Sequence, residues 1–538
     1  MSLNSRRDNV MRNKEPIETS VLICGAGPVG LSLSLALSRL GIDNVLVEKH
    51  PGTSIHPKAR GVNVRVMELM RLWGVETAIR EKELPAHARR FLWLESVQGK
   101  IIGEAAIHEP VFNDSPTHGG FVTQDIVEQA LLNALLEQSN SAVRFSTQLT
   151  SLRQDKDGVE CVLFNKKTQA SETVRCQYAV AADGAHSFIR HSLNIKMQGI
   201  ENISSNLSVL CNVDTPPLLN DQFSIVAVLT EKALRGKFIM AVDFKKRWVI
   251  AQRIEHAEKK FSSEYCQQLV RDVCQNQDLS VEVINASVWG IAALNAEVYQ
   301  KGRVFLAGDS AHRIPPTGGM GMNTGIQDAH NLAWKLAYVI QGYADPLLLE
   351  SYQEERRPLA QFTIDWSASN GSRLHGIFDA LERDDQIAFK EKLLLQSKQL
   401  SHRGLDLGFI YGSIEELDPN QYQPSTLSGA RAPHCNIVID GKLLSTLDLF
   451  EREFVLIIGS ACKQEDLLPS LPIPRSYPLK CYRMDHDFTD VDDNVRLVYG
   501  ITESGAVLIR PDGHVAWSKE PSSESGRCED TCNNKRSC

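Results

Sequence analysis

A chain of 538 residues is too long for one hydrophobic core and points to about three or four domains. Hydrophobic residues at 42% and charged residues at 23% are the balance of a globular protein, and a net charge of -8 argues against a general nucleic-acid binder. The 12 cysteines form no CxxC pair and no His-paired spacing, which argues against a metal site or a disulfide framework and fits a reducing, cytoplasmic setting.

Arg6, Arg7, Arg12 and Lys14 precede an apolar stretch from Val21, superficially like a signal peptide. The glycines that follow describe a βα unit instead, so residues 1–18 are expected to be a flexible leader. No run reaches the roughly 20 apolar residues that span a bilayer. Residues 21–24 are expected as a buried strand, and residues 31–40 as an apolar helix. Between them stands Gly25-Ala26-Gly27-Pro28-Val29-Gly30. Strand, G-x-G-x-x-G and helix is the context of a dinucleotide fingerprint: Gly25 permits the turn, Gly27 lets the backbone approach a pyrophosphate, and Gly30 allows close packing. A second strand, residues 44–47, delivers Glu48 at about the spacing where an acidic side chain holds ribose hydroxyls. The fingerprint does not separate FAD from NAD.

Next come His56, Lys58, Arg60 and Arg65, in a turn that leads to a helix with Val64, Met67, Leu69 and Met70 as its apolar face. His56 is read as a turn residue. Thr123 is a plausible N-cap for a helix that opens at Gln124. Residues 159–164 and 173–182 read as strands, the second ending in Asp183-Gly184 with Ser187, Arg190 and Leu193 behind it. From 206 to 288 the texture changes to short β-rich runs between polar turns, which suggests an antiparallel sheet. Phe238, Met240 and Trp248 are candidates to line a pocket there, although sheet-core packing is the better reading for each.

Residues 302–336 carry the strongest signal. The apolar run Val304-Phe305-Leu306-Ala307 reads as a buried strand, and Gly308-Asp309 as a tight turn that leaves a carboxylate at the strand's end. Pro315-Pro316 stiffen the chain. Gly318-Gly319-Met320-Gly321-Met322-Asn323 then leaves backbone N–H groups bare, as contact with a flat or anionic group requires. Ile326, Ala329, Leu332, Ala333 and Leu336 recur at helical spacing, so a helix is expected from Gly325, its positive end toward the loop. Further on, Tyr352 to Pro358 read as the end of a segment whose charges fit surface ion pairs, and a helical region follows to about Gln399. Residues 429–434 open a last unit with a strand at 454–458 and a hairpin through Pro511-Asp512-Gly513. Its Cys435, Cys462 and Cys481 form no redox pair, which favours a structural or dimerisation role.

Residues 302–336 resemble, almost residue for residue, the flavin-binding segment of the FAD-dependent aromatic hydroxylases: the p-hydroxybenzoate and phenol hydroxylase group with its polyketide-tailoring members. The resemblance covers roughly residues 19 to 518. It implies that Asp309 bonds the ribityl chain of FAD and that Pro316, Gly318, Gly319, Met320, Gly321, Met322 and Asn323 line the isoalloxazine ring. Gly25, Gly27, Pro28, Gly30, Glu48 and Lys49 would hold the adenosine diphosphate half. Lys58 and Arg60 would contact phosphates or adenosine. Lysine stands at 58 where the family more often has arginine, so the bidentate fork is lost there. Gln124 would touch the linker region. Asp183, Gly184 and Arg190 match a second fingerprint that organises the pyrophosphate region and helps place NAD(P)H.

The implied fold is α/β: a p-hydroxybenzoate hydroxylase-type, Rossmann-like FAD domain with an inserted antiparallel substrate sheet and a C-terminal thioredoxin-like domain. The expected division is FAD domain 19–200 and 291–345, substrate sheet 201–290, helical linker 346–425, thioredoxin-like domain 426–518 and disordered tail 519–538. The implied chemistry is monooxygenation in secondary metabolism. NAD(P)H reduces FAD, O2 adds to give a flavin hydroperoxide, and its distal oxygen passes to a phenolic or polyketide-type ring. FAD carries the hard chemistry, and no catalytic base is named. A Baeyer–Villiger-type monooxygenase or a flavin oxidase on the same fold is the alternative, and an FAD-holding interaction protein a remote one. The resemblance leaves room for a homodimer.

Overall fold

The computed structural model describes residues 16–519 apart from 107–112, 216–217, 219–221, 256–259 and 400–401. The expected tail from 520 onward and the expected leader up to 15 lie outside the described residues. Residues 17 and 18, expected in the leader, belong instead to the strand Ile17–Cys24, because Ile17, Glu18 and Thr19 pair in parallel with Val174, Arg175 and Cys176. Among the described residues no helix is long and apolar enough to cross a membrane.

The first sheet is the parallel one that the fingerprint demands. Ile17–Cys24 lies between Asn44–Val47 on one side and Ala170–Ala181 on the other, with Ser141–Arg144 and Val304–Leu306 beyond them. Cys24 is level with Val47 and with Ala181, and Ala181 with Leu306. Four chain segments distant in sequence therefore leave the sheet at one edge. Switch points at the carboxyl ends of such strands are where this architecture binds ligands. The helix Pro28–Arg39 starts three residues earlier than expected, with Gly27 as N-cap and Pro28 at the first helical position, where its missing N–H costs nothing.

The helix after the Gly-rich loop also begins early. It spans Met320–Ile340, with Gly319 as a left-handed N-cap at φ 69°, so Met320 to Thr324, expected in the loop, are helical. The reason is contact: a Cβ on Gly325 would come within 3.0 Å of Gly308 Cα and 2.6 Å of Val29 Cγ2. Ile326, Leu332 and Leu336 are fully buried, and each contributes about 1.5–3 kcal/mol.

The second sheet runs wider than the expected span 201–290. Its long strands Met197–Val213 and Val281–Ala296 pair antiparallel, followed by Arg247–Ile254, Lys237–Ala241 and Val226–Leu229. It then recruits Arg90–Leu94 and Ile101–Ala106, from far upstream, at one edge and His312–Arg313 at the other. Val226–Leu229 pairs with Arg90–Leu94 in parallel, so the sheet is mixed rather than wholly antiparallel. Trp248 is buried in the core on one face, beside Ile239, Ile250 and Val209. Phe238 and Met240 point to the other face, in separate clusters.

Tyr352 to Pro358 do not end a segment. They lie inside one 33-residue helix, Glu350–Glu382, which accepts Pro358 at the cost of one backbone hydrogen bond. The last unit carries Phe454–Ile458 paired parallel with Leu479–Arg483 and antiparallel with Ala506–Ile509, which forms the expected hairpin with Val515–Ser518. Gly513, at φ 76°, makes that turn possible.

This unit is docked by charge as well as by apolar packing. Trp334 and Tyr338 of the helix Met320–Ile340 join its core cluster with Phe454, Leu456 and Ile458. Arg431 pairs with Glu68, which also accepts from Arg65 at 2.9 Å. Burial alone would raise the Glu68 carboxyl, but Arg431 and Arg65 outweigh it and hold it at about 2, against an ordinary 4.5. A depressed folded-state pKa gives stability that is complete above about 4.5 and drains as pH falls toward about 2. Melting temperatures taken from pH 7 down to 3 should therefore fall on the acid side. Glu68→Gln should flatten part of that slope while costing about 3–5 kcal/mol at neutral pH. An unchanged acid slope in the variant would contradict this assignment.

Candidate active site

The expected cofactor residues sit on loops that touch one another. A Cβ on Gly30 would lie 1.9 Å from the Gly25 carbonyl oxygen, and one on Gly25, at φ 107°, would lie 2.2 Å from the Ala182 oxygen. The first glycine turn is thus packed against the Asp183-Gly184 loop. A Cβ on Gly27, by contrast, would meet nothing within 4 Å. Open space at the start of a helix, with free N–H groups facing it, is what a pyrophosphate needs. Glu48 stands at the end of Asn44–Val47 and accepts from the Ala26 and His50 amides, both at 2.9 Å. Lys49 beside it is exposed.

Asp183 accepts from the Phe188 amide at 2.8 Å through Oδ2, while Oδ1 is buried without a hydrogen-bond partner among the described residues. Burial raises its pKa. Arg190 does not reach outward. Its guanidinium is buried and donates to the Ser310 carbonyl at 3.1 Å and the Ala185 carbonyl at 2.9 Å, which braces the Asp183 loop against the Asp309 turn. Asp309 itself is exposed between buried Gly308 and Ser310, and no hydrogen bond to it is found among the described residues.

Around the Gly-rich loop the side chains and the backbone have separate tasks. Met320 and Met322 are buried in apolar clusters. Asn323 accepts from the Asn63 amide at 2.9 Å and donates to the Gly61 and Gly319 carbonyls. A Cβ on Gly319 or Gly321 would meet nothing within 4 Å, so backbone and open space face the ligand side. Gly318, at φ 106°, lies against Trp366 of the long helix, and Pro316 is exposed beside it.

Asn323 thereby ties the loop to residues 56–63, and Gln124 joins them from behind: its amide donates to the Ala59 carbonyl at 2.9 Å, and its side chain donates to Glu128 at 2.7 Å. Lys58 is exposed. Arg60 turns toward the second sheet and donates to the Ala241 carbonyl. Its Nη2 has no partner among the described residues, and burial pushes its pKa down to about 10. His56 is no simple turn residue. It is buried, with Nε2 3.1 Å from Ser208 Oγ on the second sheet, and burial lowers its pKa.

Three residues that matter here were not expected. Asp328 accepts from the Gly308 amide at 3.2 Å, from His312 Nε2 at 2.6 Å and from Arg356 Nε at 2.8 Å, all out of solvent. Arg356, expected as a surface charge, is fully buried because its partner is an interior carboxylate. The only available signal was the clustering of His312, Asp328 and Arg356 around the glycine motif, and no spacing rule marks it.

These features have the form of a dinucleotide-binding site. The residues fit FAD: an open pyrophosphate cradle at Gly27, an unpartnered Asp183 oxygen, a free Asp309 carboxylate and a bare helix start at Gly319. The family model described as FAD binding domain matches residues 18–367, and the one described as aromatic-ring hydroxylase, C-terminal, matches residues 425–533. A putative polyketide hydroxylase of Streptomyces halstedii is 37% identical over 93% of each chain. The flavin-dependent monooxygenase PieE, solved with FAD and substrate, superposes with a TM-score of 0.84 at 26% identity over 94% of this chain and 96% of that one. Aklavinone-11 hydroxylase, solved with FAD and aklavinone, gives 0.79 at 29% over 95% and 97%. The chain belongs to the FAD-dependent aromatic-ring hydroxylases, has their p-hydroxybenzoate hydroxylase-type fold and is an FAD-dependent monooxygenase.

The glycines separate folding from binding. Gly27→Ala should leave the apoprotein's melting temperature nearly unchanged and weaken FAD binding by about tenfold or more, since only the ligand's space is taken. Gly30→Ala should lower the melting temperature, because its Cβ strikes the Gly25 carbonyl. Flavin fluorescence titration and thermal melts on both variants test the distinction.

Proposed function

We propose that this enzyme hydroxylates a polyketide-type, fused-ring phenol, consuming NAD(P)H and O2. The carrying observation is the second face of the substrate sheet. Leu210, Met240, Val242 and Val249 form an apolar cluster of their own there, apart from the core on the opposite face. Met240 pairs with Val249, and Val249 with Leu210, so these side chains form one wall across three strands. Phe238 continues it, and Ser208, held by His56, gives it a polar margin. The wall is joined to the Gly-rich loop through residues 56–63, as an aromatic substrate beside a flavin requires. The likeness to proteins named polyketide hydroxylase and aklavinone-11 hydroxylase supports the same class.

Bound FAD supplies the oxygen-activating chemistry, and the protein binds, orients and excludes water. We assign Asp309 to the ribityl chain, Gly27 with the start of the Pro28 helix to the pyrophosphate, and Glu48 to the adenosine ribose. Met320 to Met322 would present first-turn main-chain N–H groups and a helix start to the pyrimidine end of the ring, where negative charge develops, while the Gly319 N–H is held by the Pro316 carbonyl. Lys49, Lys58, Arg60 and Gln124 border the adenosine diphosphate half, and Asp183 and Gly184 its loop.

We read the C-terminal unit as thioredoxin-like from its mixed sheet, without redox work. Cys435 and Cys481 are pushed up to about 12 and about 11 by burial, which makes poor nucleophiles at neutral pH. A cytoplasmic homodimer is consistent with this reading.

NADPH and NADH oxidation in air by the FAD-loaded protein, with a panel from simple phenols to hydroxylated polyketides, tests the assignment. The expected result is faster oxidation with fused-ring phenols and a product heavier by one oxygen atom on the ring. Oxygen inserted beside a ketone would point to Baeyer–Villiger chemistry, and oxidised product without added oxygen to an oxidase. Stimulation by simple phenols alone would remove the polyketide reading.

A further inference from the structure

The C-terminal unit is joined to the Gly308 turn by an unbroken run of buried and half-buried polar groups. Arg510, in its last hairpin, donates to both oxygens of Glu355 at 2.6 and 3.0 Å. Asp512 of the same turn orients that guanidinium from 3.0 Å, and Trp334 lies beneath it. Glu355 also accepts from Lys335 at 2.8 Å and Asn331 at 2.7 Å, both on the helix Met320–Ile340. Asn331 donates again to the Tyr411 hydroxyl at 3.3 Å, which accepts from Arg356 at 3.2 Å. Arg356 ends the run on Asp328 and on the Thr324 carbonyl, and Asp328 holds the Gly308 amide.

Asp328, Glu355 and Asp512 face Arg356, Lys335 and Arg510, three carboxylates against three cations. Removing one member leaves a buried charge uncompensated, so the members act together rather than as separate pairs.

We propose that Arg510 is a positioning residue for the cofactor: through Glu355, Arg356 and Asp328 it holds the Gly308 turn, and with it the Asp309 carboxylate, where the ribityl chain binds. This rests on the assignment of Asp309 to that chain. The Gly308 turn needs such a hold, because its φ of 60° and its contact with Val29 leave it one narrow arrangement. The C-terminal unit thus takes part in retaining FAD without touching it.

The test uses the full-length protein. Arg510→Met should raise the Kd for FAD by about tenfold and alter the visible absorption of the bound flavin, with Arg510→Lys in between. Should Arg510→Met fail to fold, Glu355→Gln, of equal shape, should show the same FAD weakening. Arg71→Ala breaks a tie between the same two units, to Asp448, that lies outside the run. It should leave the Kd for FAD within about twofold, even where its melting temperature falls as far. Wild-type FAD affinity in the folded Arg510 or Glu355 variants, or equal weakening in Arg71→Ala, overturns the proposal. Asp309→Asn tells the two failures apart: unchanged FAD binding there removes the ribityl assignment itself, and weakened binding there with normal Arg510→Met removes only the positioning role.

Discussion

Where the turn at Gly308 crosses the first helix there is no room for a single additional carbon. A Cβ on Gly308 would lie 2.7 Å from Val29 Cγ2, and one on Gly325 would press on both. This close approach brings the start of the Pro28 helix and the start of the Met320 helix to one side of the sheet. Two partial positive charges, each from a helix end, are then available to one anionic ligand. The Asp183 loop is drawn to the same place by the contact of Gly25 with Ala182. Small residues serve here to let backbones meet, and the meeting fixes the geometry of everything that binds there.

Such packing alone would leave polar groups stranded, and the buried carboxylates answer that need. Asp328 gives the Gly308 amide an acceptor deep in the protein, yet a carboxylate there is costly unless paired. Arg356 and His312 pair it, and Arg356 in turn donates to the Thr324 carbonyl in the first turns of the helix Met320–Ile340. Ion pairs of this kind add little net stability relative to an apolar core. Their effect is to make one arrangement of strand, turn and helix much better than its neighbours. That suits a site whose donors must be in place before the ligand arrives.

Much of this was legible in the residues because it is local. Gly25 to Glu48 combine a strand, a turn and a helix within one short window, and the pattern needs no distant partner. The strand at 304–306 and the hairpin around Pro511 to Gly513 are of the same kind. The first turn of the Met320 helix was not legible, since Gly318, Gly319 and Gly321 together favour a loop, and the helix was expected only from Gly325. Arg356 carries no mark in sequence of being interior, because its partner Asp328 is remote in sequence and met only in three dimensions. The strands at 90–94 and 101–106 join a sheet formed mostly by residues after 196, and no local pattern announces that pairing.

The same distance effect separates the two faces of the second sheet. Alternation along a strand assigns side chains to faces but does not say what covers each face. Trp248 and Ile250 turn to a core closed by the helix Ser263–Val273, which seals that side with Cys266, Val270 and Val273. Val249 turns the other way, to meet Leu210 and Met240 in a cluster too small to be a core in its own right. An apolar cluster of that size, set beside a polar margin and a backbone loop with open space, is incomplete as packing and suited to a flat ring. On the proposed function, substrate choice rests on residues such as Met240 and Leu210, which lie on the opposite face from the Trp248 core. The proposed cofactor site rests instead on the glycine turns and buried carboxylates, where an added Cβ at Gly25, Gly30, Gly308 or Gly325 would collide with its neighbours.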